Sequence, residues 1–241
     1  MYLSVIIPVK NEEKHIKNTT EDVYRYLSGR NIEHEIFVVS DGSKDRTDEI
    51  VRSMIPDIPT LQLLSYEINR GKGFAVREGM QKASGQYRLF MDADNATNID
   101  QTEKLFPYFK EGYEVVIGSI GIKGSEVAKG SEPIWRRLFG NMGNVYIQIM
   151  AVPGIQDTQR GFKMVTAKAV RDIFPRMTID RWGFDVEMLA LARKFGYKIK
   201  EVPVKWNNDP NTASHPRLPD YFKFLLEIVK IRWNLMTGKY K

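Results

Sequence analysis

Short apolar segments alternate with amphipathic ones along the first half of the chain. Segments that are rich in Val, Ile, Leu and aromatic residues, and that have the length of strands, occupy 2–9, 34–41, 61–66, 87–92 and 113–119. Stretches with apolar residues at helical spacing lie between them, at about 12–27, after 45, after 73 and at about 101–110. Apolar strands separated by such helices predict a mostly parallel sheet covered by helices on both faces, an α/β, doubly wound fold.

The second half of the chain is less regular. Residues 119–134 are rich in glycine and serine and show no periodicity, which predicts a mobile loop of functional length. Further predicted elements are helices at about 135–150 and 184–195, a strand at 198–206 and a polar loop at 207–217. Since no linker divides the chain, we expect a single domain over residues 1–241.

The last predicted helix, 219–236, is amphipathic, and its apolar face is unusually wide. Its polar residues, among them Asp220, Lys223 and Glu227, form one stripe, while apolar and aromatic residues cover the rest. Basic residues outnumber acidic ones from residue 218 onward. A basic helix with a broad aromatic face is typical of a membrane interface, but a core helix or a dimer interface has the same pattern.

Composition narrows the class of protein. The chain has no cysteine, which excludes disulfides and thiolate metal sites, and its three scattered histidines argue against zinc. No apolar run approaches the roughly 18 to 20 residues that span a bilayer, and the chain starts with a strand rather than a signal sequence, so we expect neither a membrane span nor secretion. A net charge of +6 and a pI near 9.3 suit a phosphate-bearing partner such as nucleic acid, a nucleotide or an anionic membrane, but a soluble protein that is merely basic is equally consistent with this charge. Nucleic acid fits poorly, because the basic residues do not cluster with aromatic ones on a strand.

Three polar clusters follow predicted strands. PVKNE ends the first strand at 8–12, SDGSKD the second at 40–45, and residues 92–95 follow the fourth. In open parallel sheets the ligand crevice lies outside the carboxyl ends of the strands, so these clusters fall where a ligand is expected.

Asp92 and Asp94 give the sharpest chemical signal. Two carboxylates so close after a buried strand do not both stay ionised unless a cation joins them. Oxygen ligands favour Mg²⁺ or Mn²⁺, which complete their shell with phosphates and water. The alternative to a metal site is that Asp92 and Asp94 have only a local structural role, in a loop or as helix caps. Phosphatases with an aspartate nucleophile use a similar motif, but Ala96 stands where they have Thr or Val, and this strand is the fourth rather than the first.

Six motifs occur in an order that resembles glycosyltransferase family 2. They are SVIIPVKNE, VVSDGSKDRT, NRGKGFAVREGM, MDADNAT, DTQRGFK and RWGFDVEML. The set is most similar to polyprenyl-phosphate hexosyltransferases, in particular to the dolichyl-phosphate β-glucosyltransferase branch, and the similarity extends over nearly the whole chain to IRWNLMTGKY. The resemblance implies the GT-A fold, in which a mostly parallel sheet flanked by helices binds a nucleotide sugar.

The resemblance also implies roles for residues on the donor side. The implied nucleotide-binding residues are Pro8, Glu12, Asp41, Gly71, Lys72, Arg77 and Asp92. Pro8 and Glu12 are expected beside the nucleoside and Asp41 at the uracil or ribose. The backbone N–H groups at the glycine-rich helix start near Lys72 suit phosphate. Asp92 and Asp94 are the implied ligands of the metal, Mg²⁺ or Mn²⁺, which bridges the diphosphate.

Residues on the acceptor side are implied in the same way. Asp157, Asp185 and Glu187 match acidic motifs of the family near the reacting centre and are the expected catalytic residues. Acceptor-phosphate contacts are expected from Arg136, Arg137, Arg181, Ser214 and His215. From the pattern alone, Glu187 is equally consistent with a solvent-facing helix position, Asp185 with a charge at a helix N-terminus, and the two early arginines with a solvated helix face.

Three positions depart from the family pattern. Ala96 stands where mannosyltransferases of this group often have Gln, which favours the glucosyltransferase branch. Ile120 replaces a common Arg, and Ser214-His215 replaces Ser-Lys, so some of the phosphate contacts must differ.

We therefore expect an inverting, metal-dependent enzyme that transfers a hexose from a nucleotide sugar, UDP-glucose in preference to a GDP-sugar, to polyprenyl or dolichyl phosphate. We expect it to be cytoplasmic and to bind peripherally to the cytoplasmic face of a membrane, through helix 219–236, the helix at 135–150 and the acceptor loop at 119–134. A membrane-anchored partner or a homodimer is left open. The alternatives are a glycan hydroxyl as acceptor and a nucleotide-sugar-binding subunit without turnover.

Overall fold

A computed structural model describes residues 2–127, 143–207 and 218–241 of the chain. Its strands are β1 (Leu3–Val9), β2 (His34–Asp41), β3 (Leu61–Tyr66), β4 (Tyr87–Met91), β5 (Val115–Ser119), β6 (Glu126–Val127), β7 (Phe162–Thr166), β8 (Ile199–Pro203) and β9 (Lys205–Trp206). Its α-helices are α1 (Ile16–Gly29), α2 (Thr47–Met54), α3 (Lys72–Lys82), α4 (Thr102–Lys110), α5 (143–150), α6 (Ala167–Ile173), α7 (Phe184–Lys194) and α8 (Leu218–Met236). Short 3₁₀ turns cover Ile99–Gln101 and Phe174–Arg176.

Within the described residues, seven strands form one sheet in the order β3-β2-β1-β4-β7-β5-β8. The pairs β2–β3, β1–β2, β1–β4 and β5–β8 are parallel, which confirms the mostly parallel sheet that the sequence predicts. β7 runs antiparallel between β4 and β5. The Asp92 amide donates to the Gly161 carbonyl at the carboxyl end of β4, so the chain enters β7 at that edge and must run back across the sheet.

Helices cover both faces of the sheet, as predicted. Neighbouring residues of β1 point to opposite sides, because Ile6 belongs to one buried apolar cluster and Val5 and Ile7 to the other. The first cluster is closed by α3, α6, α7 and α8, and the second by α1, α2 and α4. The carboxyl ends of the parallel central strands therefore lie together at one edge of the sheet, between these helical layers.

Most predicted elements lie within a few residues of their observed bounds, with two differences. The predicted strand at 198–206 is divided into β8, which extends the main sheet beside β5, and β9, which pairs with β6 in a separate two-stranded ribbon. The predicted helix at 12–27 begins only at Ile16, because residues 12–15 form a turn whose Glu12 amide donates to the Thr47 hydroxyl. The acceptor loop at 119–134 and the helix at 135–150 lie partly, and the loop at 207–217 almost wholly, outside the described residues.

The C-terminal helix is present as predicted, from Leu218 to Met236. Across residues 2–127, 143–207 and 218–241, no helix is both long enough and apolar enough to cross a membrane.

Candidate active site

The loop after β4 carries Asp92 and Asp94 at the carboxyl edge of the sheet. The Thr19 hydroxyl of α1 donates to the Ala93 carbonyl at 2.6 Å, and the Ala96 amide donates to the Asp94 carboxylate at 3.0 Å. Asn95 has a left-handed backbone with φ of 55°, which turns the chain sharply after Asp94. Both carboxylates are thus held by local backbone geometry at the end of a buried strand.

Gly161, just before β7, leaves space for the Asp92 carboxyl group. A Cβ atom at this position would lie 2.2 to 2.3 Å from the carbon and oxygens of that group. Only a residue without a side chain lets the antiparallel strand approach Asp92 this closely.

Lys72, the first residue of α3, forms an ion pair with Asp92. Its Nζ lies 2.5 Å from Asp92 Oδ1. The preceding Gly71 has φ of 125°, and a Cβ there would lie 2.3 Å from the Asp180 carbonyl oxygen, so glycine is required for both conformation and space. Burial lowers the pKa of a lysine, but the Asp92, Asp185 and Asp94 carboxylates outweigh this and hold the pKa of Lys72 above its usual value. Lys72 is therefore a fixed positive charge.

Asp41, at the end of β2, holds the loop that leads into α3. Its two carboxylate oxygens accept hydrogen bonds from the amides of Arg70, at 2.9 Å, and Gly71, at 2.6 Å. Asp41 is almost wholly buried. The predicted nucleoside contact is therefore also an anchor for the glycine-rich turn.

Asp185 lies in the first turn of α7 and is buried against Lys163 of β7. Lys163 Nζ is 2.5 Å from Asp185 Oδ1, and the lysine has no exposed surface. Burial raises the pKa of Asp185, and the charges of Lys163 and Lys72 oppose this shift. The alternative of a simple helix-terminal charge is incomplete, because Asp185 is part of a buried ion pair.

Together these residues form a charged row, which we define as Asp94, Asp92, Lys72, Asp185 and Lys163. Three carboxylates face two ammonium groups, so the row carries an excess of one negative charge when all are ionised. Burial and the neighbouring Asp92 raise the pKa of Asp94 to about 6. The charge of Lys72 opposes this shift, but Lys72 is paired with Asp92, and no described residue forms an ion pair with Asp94 itself.

The row fits a divalent cation by its chemistry. Two carboxylates with excess negative charge suit Mg²⁺ or Mn²⁺, which are bound by few protein oxygens together with phosphates and water. In the part of the chain that the structure describes, no group of three or more His, Cys, Asp or Glu side chains is arranged to hold a metal. Among the described residues, the donor set is therefore Asp92 and Asp94, and substrate oxygens would add further ligands.

Asp157 lies on a neighbouring loop and fixes its conformation. Its Oδ2 accepts from the Ile120 amide at 2.9 Å and from Arg160 Nε at 3.2 Å. The Arg160 guanidinium in turn lies over the Trp206 ring, 4.5 Å from its centroid. The arrangement links the end of β5 with the ribbon strand β9, and the role of Asp157 near the reacting centre stays a prediction.

Glu187, two residues after Asp185, occupies a different environment. It has no exposed surface, so the solvent-facing position considered from the sequence is wrong. Its carboxylate accepts from the amides of Thr178 and Ile179 at 2.8 and 2.9 Å, from the Thr178 hydroxyl at 2.8 Å and from the Tyr240 hydroxyl at 2.6 Å. These bonds join α7, the segment before it and the C-terminus, and a catalytic role for Glu187 stays a prediction.

The other predicted residues are spread around the row. Pro8 is buried in β1, and Glu12, also buried, contacts His15 at 3.0 Å. Arg77 points to the segment before α7, with its guanidinium 2.6 Å from Asp180 Oδ1. The exposed Arg181 has its Cγ beside Gly71. The remaining acceptor-phosphate candidates, which lie outside the described residues, are Arg136, Arg137, Ser214 and His215.

Two residues of the site were missed by sequence reasoning. Gly161 and Lys163 both lie in the motif DTQRGFK, but their roles depend on β7 entering beside β4. A lysine inside the apolar run FKMVT is the one signal in the sequence that points to a buried charge, because lysine is almost never fully buried without a partner.

Comparison with known proteins agrees with the family resemblance of the sequence motifs. The family model described as glycosyl transferase family 2 matches residues 4–174. A dolichyl-phosphate beta-glucosyltransferase of Dictyostelium discoideum is 34% identical over 254 residues, which cover 100% of this chain and 77% of that protein. A dolichyl-phosphate beta-glucosyltransferase of Trichomonas vaginalis is 36% identical over 249 residues, which cover 99% of this chain and 73% of that protein.

A solved structure extends the similarity to the fold. Glucosyl-3-phosphoglycerate synthase from Mycobacterium tuberculosis, in complex with Mn²⁺, UDP-glucose and phosphoglyceric acid, superposes with a TM-score of 0.69 at 16% identity, covering 97% of this chain and 79% of that one. At this identity the likeness shows the fold alone, and it confirms the GT-A arrangement expected from the sequence.

Proposed function

The chain belongs to glycosyl transferase family 2 and is a glycosyltransferase that uses a nucleotide sugar, and we propose that it transfers glucose from UDP-glucose to dolichyl phosphate or a related polyprenyl phosphate. The sugar and the acceptor are supported by relatives that match nearly all of this chain and are named dolichyl-phosphate beta-glucosyltransferases. The uridine donor is supported by the complex of the M. tuberculosis enzyme with UDP-glucose.

The charged row is the observation that carries the proposal. It combines two carboxylates, one of which has a raised pKa, with a fixed lysine at the start of a helix and at the carboxyl edge of the sheet. Lys72 pairs with Asp92 and Lys163 with Asp185, so among the described residues Asp94 is the carboxylate of the row without an ion pair of its own. A diphosphate with its cation is the ligand that this combination fits.

Donor binding follows from the loops around the row. The Lys72 ammonium, 2.5 Å from Asp92, would contact the diphosphate, and the N–H groups that begin α3 favour phosphate oxygens. Asp41 keeps the preceding turn in place through the amides of Arg70 and Gly71. When bound by Asp92 and Asp94, Mg²⁺ or Mn²⁺ would supply Lewis-acid stabilisation of the departing UDP.

The acceptor needs little activation by the protein. A phosphate monoester is largely ionised near neutral pH, because its second pKa is about 6. One of its oxygens attacks C1 of glucose from the face opposite the diphosphate, a C1–O bond forms, and the bond from C1 to UDP breaks, which inverts the anomeric centre. Asp157 and Asp185 then act by orientation and electrostatics rather than by taking a proton.

A matrix of donors and metals tests the proposal. UDP-glucose, UDP-N-acetylglucosamine, UDP-galactose and GDP-mannose would each be incubated with a short polyprenyl phosphate and Mg²⁺ or Mn²⁺, and label would be counted after organic extraction. We expect metal-dependent transfer of glucose into the organic phase. Label that appears only in a water-soluble glycan would refute the lipid acceptor, and preference for another donor would refute the sugar.

A further inference from the structure

Helix α8 has two faces of opposite character. At about 100° of rotation per residue, one apolar sector about 100° wide contains six exposed side chains. We call it the α8 outer face, and it consists of Phe222, Leu225, Leu226, Val229, Trp233 and Met236. Phe224, Ile228, Ile231 and Asn234, on the opposite side, are buried against the domain. Packing of the helix on its own domain therefore leaves a complete apolar face uncovered in the described structure.

The exposure on this face is large. Phe222 is 70% exposed, Leu226 69%, Trp233 65% and Met236 69%. Single exposed apolar residues are common on protein surfaces, but a contiguous row along one helix marks an interaction surface. The surface needs an occupant that covers about four turns of helix.

Basic residues line both edges of the outer face. By the same helical rotation, exposed Lys223 lies along one edge and exposed Arg232 along the other. Lys230 is on the same edge as Lys223, but its ammonium group donates to the Thr178 carbonyl of the domain at 3.4 Å. Lys239 and Lys241 follow the helix and are exposed as well. Glu227 points inward, because its carboxylate accepts the Gly183 amide at 2.8 Å. The rim of the apolar face is thus positive.

The sign of this rim distinguishes between two occupants. A second copy docked across a two-fold axis would bring the same lysines and arginine together, since such an interface pairs a surface with itself. A bilayer with anionic headgroups instead offers acyl chains to the apolar side chains and negative charge to the basic edges. Charge complementarity favours the lipid surface.

We propose that the α8 outer face is a docking surface for an anionic lipid bilayer, on which the helix lies parallel to the membrane plane. Phe222, Leu226 and Trp233 enter the boundary between headgroups and acyl chains, and the basic edges contact the headgroups. Docking would bring the glucose-transfer site to a lipid acceptor, and only this purpose rests on the proposed function.

The inner face of α8 ties the docked helix to the active site. Gly183, which Glu227 binds, immediately precedes α7, whose first turn carries Asp185. Asn234 contacts the Thr178 hydroxyl at 3.3 Å, in the segment that leads to the same turn. The orientation of the helix on the membrane therefore fixes the orientation of the charged row.

Vesicle binding by the full chain tests the proposal without any transfer reaction. Protein would be sedimented with vesicles of phosphatidylcholine, with and without phosphatidylglycerol, in the absence of donor, metal and polyprenyl phosphate. We expect binding that requires the anionic lipid and weakens with salt. Combined Phe222→Ser, Leu226→Ser and Trp233→Ser should lower the partition coefficient at least about tenfold.

Matched variants show whether vesicle binding depends on the α8 outer face or on exposed apolar and basic residues anywhere on the surface. Phe222→Ser should weaken binding while Ile68→Ser, at a side chain that is 75% exposed, leaves it unchanged. Neutralising Lys223, Arg232 and Lys239 to Gln should weaken binding roughly tenfold, and the same change at exposed Lys82, Lys110 and Lys194 should weaken it much less.

Three results would overturn the proposal: no binding of the wild-type chain to anionic vesicles, wild-type-like binding by the outer-face variants, or a dimer in solution that Phe222→Ser dissociates. A protein that binds vesicles but transfers no glucose would contradict the proposed function alone. A protein that transfers glucose but ignores vesicles would contradict only the docking surface.

Discussion

Two acidic clusters, one around Asp185 and one around Glu187 two positions later in α7, are built in opposite ways. The charged row around Asp185 has more carboxylates than cations, and the pKa of Asp94 is raised to about 6. The Glu187 network, which consists of Glu187, Thr178, Ile179, Asn234 and Tyr240, surrounds its single carboxylate with neutral N–H and O–H donors. Asp185 and Glu187 are both buried, so burial of these two carboxylates does not by itself distinguish a binding site from a structural one.

The difference lies in what each carboxylate still lacks. Glu187 has its oxygens satisfied by the chain itself, and a ligand would have to displace those bonds. Among the described residues, Asp94 accepts one hydrogen bond, from the Ala96 amide, and the charge of Lys72 only partly offsets the burial and the Asp92 charge that raise the pKa of Asp94. A carboxylate without an ion pair of its own indicates a place where a cation binds. A carboxylate whose oxygens are all hydrogen-bonded within the protein indicates a structural role.

Asp94→Asn, which removes one charge of the charged row, should have the largest effect on transfer of all the substitutions considered. Asparagine keeps the size and the Ala96 contact but removes the charge that holds the cation. We expect transfer to fall by about 10³ to 10⁴-fold, equivalent to about 4 to 5 kcal/mol of transition-state stabilisation, with an unchanged circular dichroism spectrum. Transfer at the wild-type rate would contradict the metal role of Asp94.

Glu187→Ala should remove the hydrogen bonds of the Glu187 network and lower the stability of the protein. It leaves the Thr178 and Ile179 amides and the Tyr240 hydroxyl without their buried acceptor, so we expect the free energy of unfolding to fall by about 3 to 4 kcal/mol. Urea denaturation measures this loss. Exposed Glu111→Ala is the control and should change stability by less than about 0.5 kcal/mol. Equal losses in both variants would remove the contrast.

Gly161→Ala should disturb the row without removing any of its charges. The added methyl group would occupy the space of the Asp92 carboxyl group, which must swing away from Lys72. We expect kcat/KM to fall by about 10 to 100-fold, because a misplaced metal ligand weakens orientation rather than abolishing it. Gly29→Ala, where nothing lies within 4 Å, should leave kcat/KM unchanged.

In the metal-free protein, Asp94→Asn should raise the free energy of unfolding, because it removes a carboxylate charge that no bound cation stabilises. The pKa of Asp94 in the folded state lies above its usual value of 3.8, so the folded chain binds the proton more tightly than the unfolded chain, and stability falls as pH rises from about 4 to 6. Asparagine removes that penalty. In chelator, the variant should exceed the wild type by on the order of 1 to 2 kcal/mol above about pH 6 and equal it near pH 4. A gain that does not depend on pH would count against the assignment.

The sequence predicted β1 to β5, the segment that forms β8 and β9, most helices and the position of Asp92 and Asp94, because these depend on local periodicity and on the rule that ligands meet the carboxyl ends of parallel strands. It predicted neither β6 and β7 nor α6. It did not predict that Lys163 is buried beside Asp185, or that Gly161 makes room for Asp92. Both facts follow from β7 running antiparallel between β4 and β5, a pairing between residues far apart in the chain. Glu187 and Asp185 look alike in the sequence for the same reason: only the packing of the C-terminus shows that one of them meets Tyr240.

Calorimetric titration of UDP into the wild-type and Asp94→Asn proteins, with and without Mg²⁺ or Mn²⁺, tests the central claim most directly. If the charged row is a site for a cation and a diphosphate, the wild-type protein binds UDP much more tightly with metal than without, and the variant loses that difference. UDP binding of equal strength in metal and in chelator, or a metal effect that survives in Asp94→Asn, would contradict the account.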